Sequence, residues 1–129
     1  MASGTISLPD DTGWQDATLG SQFALYDADS VLKYRRTGKF VSVIGTVKPT
    51  SNLTISSVNN IYTITTLPVG FRPSHTIRKI CQGSSQYVWL LEVVEDGSVS
   101  LSRYRVTNSS SYTNCSAGSW LPLNIVFEV

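Results

Sequence analysis

The chain has 129 residues, 41% of them hydrophobic and 15% charged, and ten basic against nine acidic side chains leave a formal net charge of +1. That length suits one domain with its own core, and the charge balance excludes the long-range attraction by which strongly basic proteins find nucleic acid or anionic membranes. No apolar run is long enough to cross a bilayer, and the opening Met1-Ala2-Ser3-Gly4 shows no charged or apolar signal-peptide region.

In chain order, residues 1–24 are weakly patterned and read either as a lead-in strand or as the stub of a longer N-terminal region. Helical periodicity is nearly absent after that. Short β-branched and aromatic runs separated by Gly, Pro, Asn and Ser predict strands over residues 31–36, 40–47, 60–66, 76–82, 86–94, 98–106 and 121–129. Thr37-Gly38 joins the first two, and the cationic residues around it, Lys33, Arg35, Arg36 and Lys39, read as a solvated hairpin tip, with phosphate binding as the alternative. Residues 51–59 and 108–119 are polar and read as loops. Between the third and fourth strands, Leu67-Pro68-Val69-Gly70-Phe71-Arg72-Pro73 breaks the pairing, because proline removes a ladder donor and glycine permits positive φ. Cys81 and Cys115 are too few for a disulfide framework or a zinc site and read as free, semi-buried thiols, a single bridge being the alternative. The final run places Leu123, Ile125, Phe127 and Val129 on one face, which needs an apolar partner, and in a small domain another subunit can supply it. Seven or more short strands at hairpin spacing give an all-β fold, a compact antiparallel β-sandwich or a small β-barrel, in a single domain over residues 1–129.

Glu95-Asp96-Gly97-Ser98 marks a hairpin. With Asp96-Gly97 as two central residues, Val94 faces Val99, Leu90 faces Arg103, Trp89 faces Tyr104 and Tyr87 faces Val106. Alternation then gathers Tyr87, Trp89 and Tyr104 on an uncharged face and sets Arg103 and Arg105 beside Glu92 on the other. The aromatic cluster reads mainly as core, with a sugar-stacking wall as the competing role. Arg103 and Arg105 are candidates to bond hydroxyls or phosphate oxygens, and an ion pair with Glu92 is the structural alternative. His75, directly after the proline loop, and Tyr112 and Trp120, in and after the serine-rich segment, complete the candidate ligand-binding set of Arg103, Arg105, Tyr112, Trp120, His75 and Glu92. With one histidine, no nucleophile elbow, no phosphate loop and no metal-ligand spacing, the residues point to a binder without catalytic, metal or cofactor sites.

Three patterns occur in a fixed order: Tyr34-Arg35-Arg36-Thr37-Gly38-Lys39-Phe40-Val41 with Gly45-Thr46-Val47, then the proline loop, then Trp120-Leu121-Pro122-Leu123-Asn124-Ile125-Val126-Phe127. With Trp14-Gln15-Asp16-Ala17-Thr18-Leu19 ahead of them, they resemble the C-terminal receptor-binding head domains of tail-fibre and baseplate proteins from tailed phages of Gram-positive bacteria. The resemblance implies a homotrimer at the tail tip or baseplate of the virion, made in the host cytoplasm. It implies partners among other phage tail proteins and a cell-wall polysaccharide or teichoic-acid-type polymer of the host, with no nucleic acid and no membrane insertion. The expected function is host adhesion by binding surface saccharide without cleaving it, and no cofactor. A structural fibre-capping or trimerisation domain, and a polysaccharide-degrading enzyme, are the alternatives.

Overall fold

Period-two alternation decides which side of each strand turns inward. In the last strand Leu121, Leu123, Ile125 and Phe127 are buried while Asn124, Val126 and Glu128 are exposed. The computed structural model describes residues 11–129, and among these every regular element is a strand. They are β1 (Gln15–Asp16), β2 (Phe23–Leu25), β3 (Leu32–Thr37), β4 (Phe40–Pro49), β5 (Tyr62–Thr66), β6 (Ile77–Gln82), β7 (Tyr87–Val93), β8 (Ser98–Val106) and β9 (Leu121–Glu128).

Two antiparallel sheets form. In the first, β4 is the hub: β3 and then β2 pair along one of its edges, β9 pairs along the other, and β1 adds to β3. The second runs β5-β8-β7-β6. Their inner faces meet in one core, with Val41, Val43, Val47, Leu123, Ile125 and Phe127 on one side and Ile64, Trp89, Leu91, Val93, Val99 and Leu101 on the other. The fold is a β-sandwich. The apolar face of β9 is therefore covered within its own chain, and the expected need for a neighbouring subunit there does not arise.

Gly45 sits where β4 passes from β3 to β2. The Thr46 N–H reaches the Val31 carbonyl at 3.0 Å, and a Cβ at Gly45 would collide with that carbonyl, so the close approach requires glycine.

The β7–β8 hairpin corrects the expected register. Its loop has three residues, Glu95-Asp96-Gly97: Gly97 N–H bonds the Val94 carbonyl, Val94 N–H bonds the Ser98 carbonyl, and Gly97 takes φ +93°. Val93 therefore faces Val99, Leu91 faces Leu101 and Leu90 faces Ser102. A bulge at Arg103, held at φ +56°, then removes the offset, so that Val88 faces Arg105 and Tyr87 faces Val106. Val99 and Leu101 thus join Trp89 in the core, and Ser100 and Ser102 lie with Leu90 and Glu92 on the outer face. The aromatic cluster is core: Trp89 is 0% exposed, with its indole N–H on the Gln82 carbonyl at 2.9 Å, and Tyr104 stacks on Tyr87 at 4.9 Å.

Of the cationic residues near Gly38, Lys33, Arg35 and Arg36 are engaged within the chain rather than solvated, while Lys39 is exposed at the turn. Arg35 donates to both oxygens of Asp11, at 3.0 and 2.6 Å, with its guanidinium 5.8 Å from the Trp14 ring. Lys33 pairs with Asp16 at 3.0 Å, and Thr12 and Ala17 bond the carbonyls of Arg36 and Leu32. Of the weakly patterned opening, β1 and β2 join the first sheet, Leu19 and Gly20 between them bridge to Thr65 and Ile64 of β5 in the second, and residues 1–10 lie outside the described residues. Arg36 reaches the Gly70 carbonyl at 2.7 Å, tying the proline loop to β3, while Leu67 N–H bonds the Gly97 carbonyl and Phe71 packs edge-on against Tyr34 at 4.8 Å. One end of the sandwich, the turn end, therefore holds the β3–β4 and β7–β8 turns, the proline loop, Asp11 and Val129. The loop end opposite holds residues 50–60, 83–86 and 107–120.

Candidate functional site

The structure divides the six sequence-predicted residues between these two ends. Glu92 lies near the turn end and pairs with Arg78 across β6–β7 at 2.7 Å, so the expected pairing of Glu92 with Arg103 or Arg105 does not form. His75 is exposed at the same end, between Pro73 and β6. Arg103 is exposed at the bulge. Arg105 is half-buried and donates to the Ser109 carbonyl at 3.2 Å. Tyr112 and Trp120 occupy the loop end, Trp120 being 39% exposed with its backbone N–H on Ser84 Oγ at 2.7 Å. Arg105, Tyr112 and Trp120 share the loop end, and His75 and Glu92 share the turn end.

At that end two polar loops are locked together. An isolated antiparallel bridge joins Leu53 to Cys115, with both backbone bonds made, at 2.8 and 3.0 Å. Asn114 Oδ1 accepts the Ile55 N–H at 2.9 Å, and Thr113 N–H bonds the Tyr104 carbonyl at 2.9 Å. Buried Leu53 and Ile55 anchor one loop, and buried Cys115 with half-buried Tyr112 anchors the other. Between them opens a depression of about 540 Å³. Half-buried Tyr112 is its aromatic member, buried Ile55 lies beneath it, and its polar lining is Ser56, Ser110, Ser111, Thr113 and Asn114. No side chain in that lining carries a charge at neutral pH. Of these lining residues only Tyr112 is among the sequence-predicted candidates, because the pairing of residue 53 with residue 115 leaves no local signal in either loop.

A second groove of about 220 Å³ runs along the seam where β6 and β9, the facing edges of the two sheets, approach each other. Lys79 closes it by donating to the Asn124 carbonyl at 2.7 Å, and Cys81 lies buried beneath it. Both cysteines are free thiols. Burial pushes Cys81 and Cys115 up to about 11 and Tyr104 up to about 12. The Tyr104 hydroxyl is fully buried beside Ser119 and Cys115, yet neither meets it at bonding geometry. Among the carboxylates, Asp11 is lowered chiefly by its hydrogen bonds from Arg35 and then Gly13, and Asp96 chiefly by the Ser98 N–H. A lowered carboxyl is a poor proton donor at neutral pH. Among the described residues no group of three or more His, Cys, Asp or Glu side chains could hold a metal ion.

No known protein family and no curated protein matches the sequence. Among solved structures, the fold is similar to the head domain of phage bIL170, described among the receptor-binding domains of lactococcal phages. The TM-score is 0.63 at 13% identity, over 91% of this chain and 97% of that one. The likeness spans nearly the whole of both chains and establishes a shared fold.

Proposed function

We propose that this protein is a host-recognition module of a phage tail, which adheres to saccharide on the surface of a Gram-positive cell without cleaving it. The observation that carries the reading is the fold shared over almost the full length with a receptor-binding head domain. The loop end supports it: a rigid sandwich presents two cross-braced polar loops on the side away from both Asp11 and Val129. On this reading the domain sits at the tail tip as a homotrimer alongside other tail proteins. Trimeric presentation suits weak saccharide sites, since linked heads raise avidity through effective concentration.

The test is adhesion of fluorescently labelled protein to isolated Gram-positive cell walls, with the supernatant assayed for released oligosaccharide. Retention on the walls with no release is expected. A domain that only caps or trimerises a fibre would stay in solution, and a polysaccharide-degrading enzyme would liberate soluble sugar.

A further inference from the structure

We infer that the loop-end depression is a subsite for an uncharged saccharide unit, and not for a phosphate-bearing one. This deepens the host-recognition reading and rests on it. A pyranose offers an apolar patch of axial C–H groups and a ring of hydroxyls that both donate and accept. The depression offers the half-buried Tyr112 ring for the first, and for the second the hydroxyls of Ser110 and Ser111, also two-way groups, with Ser56 Oγ, which donates to Asn60 Oδ1 at 3.2 Å, left as an acceptor. Asn114 Oδ1 is committed to the Ile55 N–H, so its amide NH₂ is left as a directional donor. The opening of about 540 Å³ falls within the range of small-molecule sites, about 300–1,000 Å³.

A phosphate would find no such match. Phosphate recognition uses charge-assisted donors from Arg or Lys, and an anion moved onto neutral hydroxyls loses water without gaining an ionic partner. The nearest guanidinium along the chain, Arg105, is bonded to the Ser109 carbonyl, and Arg105 is not part of the lining. The lining is already braced by the 53–115 bridge, so its two walls are held in place before a ligand arrives.

The experiment is an amide-resolved NMR titration of the whole ¹⁵N-labelled protein. Two probes are compared, a neutral oligosaccharide fraction released from Gram-positive walls and a glycerol-phosphate oligomer, each at low and high salt. The neutral fraction is expected to shift amides of residues 55–56 and 109–114, with an affinity that does not change with salt. Asn114→Asp keeps the acceptor for Ile55 and loses the donor, so it should bind at least about tenfold more weakly with an unchanged spectrum elsewhere. Tyr112→Phe, which keeps the ring, should bind nearly as well as the parent. Salt-sensitive shifts caused by the glycerol-phosphate oligomer would overturn the uncharged class. Shifts that map away from these loops, in a protein that still adheres to walls, would overturn the subsite and leave host recognition standing. Failure to bind either probe or intact walls would remove host recognition itself.

Discussion

Trp89 shows how one residue links register to stability. It is 0% exposed, its indole nitrogen is hydrogen-bonded, and it lies where the two sheets face each other. Trp89→Ala should therefore cost about 3–5 kcal/mol, read as a fall in the denaturant midpoint at unchanged slope. Three buried acids make a separate demand. Cys81 and Cys115 sit at about 11 against 9.0, and Tyr104 at about 12 against 10.0. The folded state holds these protons more tightly than the unfolded chain does. The resulting stability is complete below pH 9 and declines as pH rises through 9 to 12. Urea midpoints measured from pH 7 to 11 should fall above 9, and Cys115→Ala should flatten part of that fall. In the folded state neither thiol should react with iodoacetamide at neutral pH, while both should react once unfolded.

At the scale of elements, seven strands were legible because each carries its own alternation, turn residues and β-branched content. β1 and β2 were not, since two or three residues make no period and both form only by pairing with strands far along the chain. The hairpin is the instructive case. Glu95-Asp96-Gly97 announces a turn, but whether it holds two or three loop residues depends on Gly97 taking φ +93°, and the bulge depends on Arg103 taking +56°. Arginine has no preference for that conformation, so the sequence carries no trace of the bulge. Arg103→Asn, better suited to positive φ, should leave stability equal or slightly higher, and Arg103→Val should lower it by about 1–3 kcal/mol. Gly97→Ala should be worse, because a Cβ would both strain the turn and strike the Leu67 carbonyl on which the proline loop rests. Thermal midpoints of the three variants give the ranking. The candidate site was less legible than the fold for the same reason: its two loops are joined by the 53–115 bridge and by the bond from Ile55 to Asn114, contacts that bring distant residues together.

For the whole molecule, the division into two ends turns a list of candidate residues into a choice. Val69, 81% exposed at the tip of the clamped proline loop, and His75 belong to the turn end, beside Asp11 and Val129. If the loop end meets the receptor, Val69→Ser and His75→Ala should adhere to cell walls as the parent does. Ser111→Trp, which fills the depression, should abolish adhesion while the unfolding midpoint stays within about 0.5 kcal/mol of the parent, as expected for an exposed position. The reverse ranking would place the contact at the turn end. The same variants also report on assembly. When several heads engage one wall, a loss at each site is compounded across the heads, because the sites act through effective concentration. A variant that weakens the soluble-sugar titration tenfold should then lose much more than tenfold in wall adhesion if the heads act as a trimer. Equal losses in the two measurements would mean that each head binds alone.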